Sequence, residues 1–330
     1  MKQETFADLG RIEAVRRLFE GSGFEPFGEP LSIEAGAGER VFSAAVSMLE
    51  GVDFNLVYFP LKHLGYKAVT AVSGELYAAL ARPATLSVVL GISAKLDFGH
   101  IKELWSGVLS AAREHGYKAL SLSLQPSRNG LCISVSATGA APALKRPEAK
   151  SKDLICVSGS LGAAYLGLQV LERERLRFEQ GAERSDALEK YKMLVGAYLK
   201  PEISPETAAQ MVDAGLLPSC GVLVSKGLSD AVLRVCRISG LGAKIYADKI
   251  PFEGNTFDLG RELDIDPVSA AMNGGDDFRL LFTVPILKLE QFRRDFQTFD
   301  IIGHLALPEA GAVLVTPDGA ELPMTAQGWN

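Results

Sequence analysis

The chain has 330 residues, about twice the usual length of one domain, so two domains are expected. Hydrophobic residues make up 47% and charged residues 22%, which excludes a disordered chain and leaves ample core material. A net charge of −6 gives no basic footprint for nucleic acid or an anionic membrane surface.

Phe6, Leu9, Ile12, Leu18 and Phe19 recur at helical spacing and predict a first helix over residues 5–20. The Gly, Pro and Glu-rich stretch over 21–40 predicts a long exposed loop. Two strands are expected next, Arg40 to Met48 and Val52 to Tyr58, then a glycine-tolerant helix over 61–81. ATLSVVLGIS reads as a β-branched strand and residues 99–115 as a helix. KALSLSL and LCISVSATG read as a strand pair around the turn Ser127-Arg128-Asn129-Gly130.

A boundary falls in APALKRPEAKSKD, giving domains 1–145 and 146–330. DLICVSG is a short buried strand that enters a helix through Ser158-Gly159-Ser160-Leu161-Gly162. Helices are expected over 163–180, 185–199, Pro205 to Leu216 and Gly227 to Ser239, with strands in CGVLVS, GAKIYA, FRLLFTVP, TFDIIGHLAL and AGAVLVTP. The class is mixed α/β, α+β in its runs of adjacent strands.

Cys132, Cys156, Cys220 and Cys236 lie far apart in apolar runs without a C-x-x-C pair and read as reduced thiols. The start MKQETFADLG has no signal-peptide core, and no apolar run approaches the ~20 residues that span a bilayer; a cytoplasmic protein is expected. Neither a G-x-x-x-x-G-K-[ST] loop nor a G-x-G-x-x-G turn is present, and His63, His100, His115 and His304 form no metal-binding pattern. SGSLG offers helix N-terminal N–H groups to an anion, although an ordinary strand-to-helix turn explains it more simply. Asn273-Gly274-Gly275-Asp276-Asp277-Phe278 stands apart: two carboxylates follow a Gly-Gly turn and precede a strand, where they either face a cleft or form an Asx-type turn.

NGGDDFRLLFTVP resembles the N-G-G-E-D-Y-E-L-L-F-T-V segment of thiamine-monophosphate kinases, within the aminoimidazole-ribonucleotide-synthetase superfamily. EGVDFNLVYFPLKHLGYKAV is similar to the family's E-G-V-H-F-D-L block and its L-G-x-K-A run. ELYAALARP, AKSKDLICVSGSLGAAYLGLQVLERE and the closing AQGWN resemble further blocks in the same order. The resemblance implies a two-domain synthetase-like fold whose N-terminal domains pair through their sheets in a homodimer. It implies ATP and several Mg²⁺ ions between the domains, and transfer of the γ-phosphoryl group to thiamine monophosphate.

Carried over residue by residue, the resemblance assigns Arg146 and Ser225 to ATP, with Lys226 beside them, and Asp53, Asp276, Asp277 and Trp329 to the substrate. Of the metal positions only Glu75 stays acidic. The early G-D-D is reduced to Glu39 at most, a T-D has become Ala45-Val46, and G-G-D-T-T has become Ser121-Leu122-Ser123-Leu124-Gln125. In the D-x-S-D-G motif the acids are Leu223 and Lys226, and the family's His before F-D-L is Asp53.

Mg²⁺ takes oxygen ligands, and phosphoryl transfer depends on charge neutralisation. The expectation is therefore a catalytically impaired relative that binds a thiamine phosphate or similar small phosphorylated ligand, or acts as a scaffold. The alternative is an active kinase in which Lys226 and Arg146 neutralise phosphate in place of part of the metal set.

Overall fold

The computed structural model describes residues 16–24, 38–182 and 185–326. They fall into two compact units: residues up to Leu76 with Ala81–Ala143, and Tyr77–Leu80 with Leu144 onward. Of the helix expected over 5–20, residues 16–19 are helical and the rest lies outside the described residues, as does most of the loop over 21–40. Among the described residues no helix is long and apolar enough to cross a membrane.

The first unit contains β1 (Glu39–Leu49), α1 (Leu61–Ala78), β2 (Arg82–Ser93), α2 (Phe98–Glu114), β3 (Ala119–Ser127) and β4 (Cys132–Pro142). Its sheet has the order β1-β4-β2-β3, with β2 and β3 parallel and the other pairs antiparallel. The expected strand over Val52–Tyr58 is instead a series of turns with one bridge at Phe54. Gly51 has φ +82°, Asp53 accepts the Leu49 N–H at 2.8 Å and Asn55 accepts the Val57 N–H at 3.0 Å. Such local side-chain bonds compete with a ladder.

The expected β3–β4 hairpin is also corrected. β2 lies between the two, because β2, α2 and β3 form a parallel crossover unit and β4 fills the gap between β1 and β2. Helix α1 ends three residues before expectation, where Leu80 turns left-handed (φ 60°) and the Ala81 N–H reaches back to the Leu76 carbonyl at 2.9 Å. Asp97 caps α2 by accepting the His100 N–H at 2.9 Å.

The pleat sorts the residues of this sheet cleanly. Val46, Val135, Val88 and Leu122 share one row, and the last three are buried. The opposite face carries the rows Ala45-Ser136-Ser87-Ser121 and Ser47-Ser134-Val89-Ser123. Hydroxyl pairs tie them across strands: Ser47 to Ser134 at 2.9 Å and Ser121 to Ser87 at 3.0 Å. Those two rows hold no charge.

The second unit has a seven-stranded sheet built from β5 (Leu154–Val157), β6 (Cys220–Val224), β7 (Gly242–Tyr246), β8 (Arg279–Val284), β9 (Asp300–Ala306), β10 (Ala312–Val315) and β11 (Glu321–Pro323). Its order is β11-β10-β7-β9-β5-β8-β6, and only β10 with β7 is parallel. The helices are α3 (Ala163–Glu179), α4 (Ala187–Lys190), α5 (Lys192–Leu199), α6 (Thr207–Asp213), α7 (Leu228–Ser239), α8 (Thr256–Leu263), α9 (Pro267–Asn273) and α10 (Leu289–Asp295). The helix expected over 185–199 breaks at Tyr191, and α8, α9, α10 and β11 had no counterpart in the sequence reading. Val222, Val224, Leu281, Ile155 and Val157 of the sheet bury Leu228, Val232 and Val235 of α7 in one core. A second core joins Leu166 and Val170 of α3, Leu194 of α5 and Leu259 of α8. All four cysteines are free, with Cys156 and Cys220 buried.

Candidate functional site

In the second unit the fully buried β5 runs through Ser158–Gly162 into α3, and the strand-to-helix turn is closed by a residue far along the chain. Asp277 accepts the Gly162 N–H at 2.8 Å and the Ala164 N–H at 3.3 Å. The anion at this helix N-terminus is thus the protein's own carboxylate. Asp277 is only 5% exposed, and both its oxygens are used, so its place is in the frame of the site. Burial pushes its carboxyl up to about 7, against the pull of the two N–H groups and of Arg279.

The turn that delivers Asp277 is strained. Gly275, Asp276 and Phe278 all have positive φ, at 80°, 62° and 47°. For the two non-glycine residues this costs about 1–2 kcal/mol each. Glycine is required before them: a Cβ at Gly274 would lie 2.4 Å from the Ala270 carbonyl oxygen and 2.4 Å from Tyr165 Cβ. The Asp276 N–H donates to the Ser225 carbonyl at 2.9 Å. On the facing segment Gly227 has φ +90°, and a Cβ there would come within 2.5 Å of the Met272 carbonyl oxygen. Two glycine-bearing loops therefore lie against each other, bringing Ser225 and Lys226 next to Asp276. Ser225 and Asp276 are half-buried and Lys226 is exposed.

Beside these loops is an open groove of about 390 Å³, lined by Ser229, Asp266, Met272, Asn273 and Thr325 among others. With its amide oriented to donate, Asn273 bonds the Thr325 carbonyl at 3.2 Å. Arg146 is half-buried, and its charge acts on the Cys220 thiol, which burial raises. Cys220 opens β6 whereas Ser225 and Lys226 follow its end, a strand span of about 16 Å. Sequence reasoning missed Arg279, which ties the turn from within by donating to the carbonyls of Ser160 at 3.2 Å and Glu202 at 3.3 Å. Its adjacency to the acidic pair was the available signal.

In the first unit Asp53 sits half-buried in the turn after β1, bonded to the Leu49 N–H. Glu75 is half-buried on α1, flanked by buried Ser73 and Leu76. Val46 belongs to the apolar row of the sheet, and Ser121 and Ser123 lie within a continuous β3. Glu39 pairs with Arg82 at 3.3 Å. Leu223 is 1% exposed and pairs in register with the equally buried Leu280. Trp329 lies outside the described residues. Among the described residues no three His, Cys, Asp or Glu side chains are grouped so as to hold a metal ion, and the apolar Val46 and Leu223 offer no donor. The side chains of Val46 and Leu223 therefore cannot serve as ligands at the two positions where the resemblance places acids.

No family model matches the chain. It is 27% identical over 271 residues to the thiamine-monophosphate kinase of Pyrococcus horikoshii, spanning 81% of this chain and 78% of that one. It is 25% identical over 251 residues to that of Synechococcus elongatus, spanning 74% and 72%. The chain belongs to the thiamine-monophosphate kinase family. Solved structures agree in fold. The thiamine-monophosphate kinase of Stenotrophomonas maltophilia superposes with TM-score 0.71 at 24% identity, covering 94% of this chain and 96% of that one. AaThiL complexed with AMPPCP and TMP gives 0.73 at 19% identity, covering 98% and 97%. The two-unit, two-sheet architecture described above is thus the aminoimidazole-ribonucleotide-synthetase-like fold of thiamine-monophosphate kinases.

Proposed function

We propose that this chain is a ligand-binding relative within the thiamine-monophosphate kinase family. It takes thiamine phosphate or a related small phosphorylated molecule and is impaired in γ-phosphoryl transfer. The observation that carries this reading is the state of Val46 and Leu223. Both stand where the resemblance places acidic metal ligands, and both are built into apolar strand rows. Mg²⁺ keeps several waters and can lose one carboxylate, but each uncompensated phosphate charge raises the barrier, and about 1.4 kcal/mol already costs tenfold in rate. In this reading Ser225, Lys226 and Arg146 serve the nucleotide side, Asp53, Asp276 and Trp329 the substrate side, and Glu75 is the one acidic metal position left.

The chain is read as a cytoplasmic homodimer, with the N-terminal domain (1–145) pairing through its sheet. Support comes from the serine-rich, uncharged rows that the first unit presents. Titration calorimetry with thiamine monophosphate, with and without Mg²⁺, tests the proposal. Binding heat that is independent of Mg²⁺, with no turnover above buffer in an ATP-coupled assay, is the expected outcome; absence of heat removes the reading.

A second reading has one specific support: the chain's relatives are named as kinases, and the exposed Lys226 sits beside Asp276 at a loop pair suited to phosphate. It requires Lys226 and Arg146 to neutralise phosphate together. ADP formation that depends on thiamine monophosphate and is lost in Lys226→Ala would establish it.

A further inference from the structure

We propose that Asp277 is a positioning residue: by clasping the N-terminus of α3 it locks the left-handed turn that presents Asp276, beside Ser225, to the ligand. The inference rests on the thiamine-phosphate reading for the identity of the ligand, and on geometry alone for the clasp.

Three of the four residues from Gly275 to Phe278 have positive φ, and Asp277 is the exception between two of them. A strained backbone persists only where its surroundings over-determine it. Here the restraints converge on one stretch: the Asp277 carboxylate on the N–H groups of Gly162 and Ala164, the Asp276 N–H on Ser225, and the Leu280 N–H on Ser158 Oγ at 2.8 Å. Phe278, 3% exposed, anchors the exit of the turn in the core.

The two neighbouring acids therefore differ in burial. Asp277 is buried with both oxygens used inside the protein, whereas Asp276 is half-buried, with its backbone N–H tied to the Ser225 carbonyl. Glycine would adopt the φ of Asp276 without strain, and the chain already places glycine at 274 and 275. An aspartate at this position carries a backbone cost that glycine would not, and the thiamine-phosphate reading sets that cost against a role for its side chain.

The test uses the full chain and amide hydrogen exchange. In Asp277→Asn the side-chain amide turns an N–H toward one of the two helix N–H groups, so one bond is lost. Exchange at the amides of Gly162, Ala164 and Asp276 is expected to speed up tenfold or more, with β1–β4 unchanged. Thiamine monophosphate affinity is expected to fall at least tenfold in calorimetry. Asp276→Ala is expected to lose the same affinity while the Gly162 and Ala164 amides stay protected. Asp276→Gly relieves the strain directly, so its melting temperature is expected to rise above that of the parent while affinity is lost. Unchanged exchange at Asp276 in Asp277→Asn overturns the clasp, as does a lower melting temperature for Asp276→Gly should Asp277→Asn fail to fold. If the parent chain binds no thiamine phosphate, the functional reading fails, while the exchange result still decides the clasp.

Discussion

Gly65 of α1 and Gly107 of α2 meet the facing helix so closely that neither position has room for a side chain. A Cβ at Gly65 would stand 2.1 Å from the Leu104 carbonyl oxygen, and one at Gly107 would stand 1.8 Å from that of Lys62. The crossing explains glycine in helix interiors, where it otherwise costs about 1 kcal/mol against alanine. Gly107→Ala must part the helices and is expected to destabilise by about 1–3 kcal/mol, lowering the melting temperature by several degrees. Gly196 in α5 is the control: nothing lies within 4 Å of a Cβ there, so Gly196→Ala is expected to stabilise by about 0.5–1 kcal/mol. Thermal unfolding of both variants decides it, and equal melting points for Gly107→Ala and the parent would contradict the close crossing.

His115, at the end of α2, makes the first unit acid-sensitive. It is 4% exposed, and burial pulls its imidazole down from 6.5 to about 4, against the opposing pull of Glu114. The unfolded chain takes up this proton first as pH falls. Stability is therefore whole above pH 6.5 and is lost on the way down to about 4, by up to about 3 kcal/mol. Asp277 has the opposite sign. Its folded pKa is raised from 3.8 to about 7, so the folded state holds the proton longer and stability falls as pH rises through that window. In denaturant unfolding His115→Gln should gain stability relative to the parent on going from pH 7 to pH 4.5, because the Asp277 contribution is common to both chains and cancels in the difference. A stability difference between variant and parent that is the same at both pH values would remove His115 as a source of acid sensitivity.

The uncharged rows of the first sheet lead to a statement about assembly. Ala45, Ser47, Ser136 and Val89 are exposed, and the hydroxyl ladder beside them satisfies its own hydrogen bonds without charge. A surface of this kind suits a second copy of the sheet better than water. Sedimentation of the parent at micromolar concentration is expected to give a particle of twice the chain mass, and Ala45→Glu, which buries a charge in that face, is expected to give single chains. A parent that sediments as one chain would refute the pairing.

The sequence disclosed the residues that fill each layer better than it disclosed their neighbours. β1, α1, β2, α2, β5, α3 and β6 lie within a few residues of where their periodicity put them. The pairing of β3 with β2 was hidden because an Asn-Gly turn is a local signal, whereas strand order follows from which edge is left to bury. Val52 to Tyr58 carries strand-like residues, yet Gly51, Asp53 and Asn55 outbid the ladder locally. The acidic pair at 276–277 was visible as an anomaly after Gly-Gly. That Asp277 is buried against the start of α3 depends on N–H groups more than 110 residues away, which no local pattern encodes.

Leu223 gives the sharpest test of whether a cation position has been filled. It is 1% exposed in β6, directly across from Leu280, which is also 1% exposed. Leu223→Asp restores the acid that the family resemblance places there. If the surroundings have become apolar, the new carboxylate is buried without a partner and the variant is expected to lose about 3 kcal/mol or more. Mg²⁺ at millimolar concentration should not restore it, because an ion needs several oxygens and the paired strand supplies a leucine. Unfolding of the variant with and without Mg²⁺ separates the cases. A melting temperature that recovers with Mg²⁺ would mean that a cation still finds enough oxygen ligands at this strand, and the chain would then be closer to a working kinase than its altered acidic positions imply.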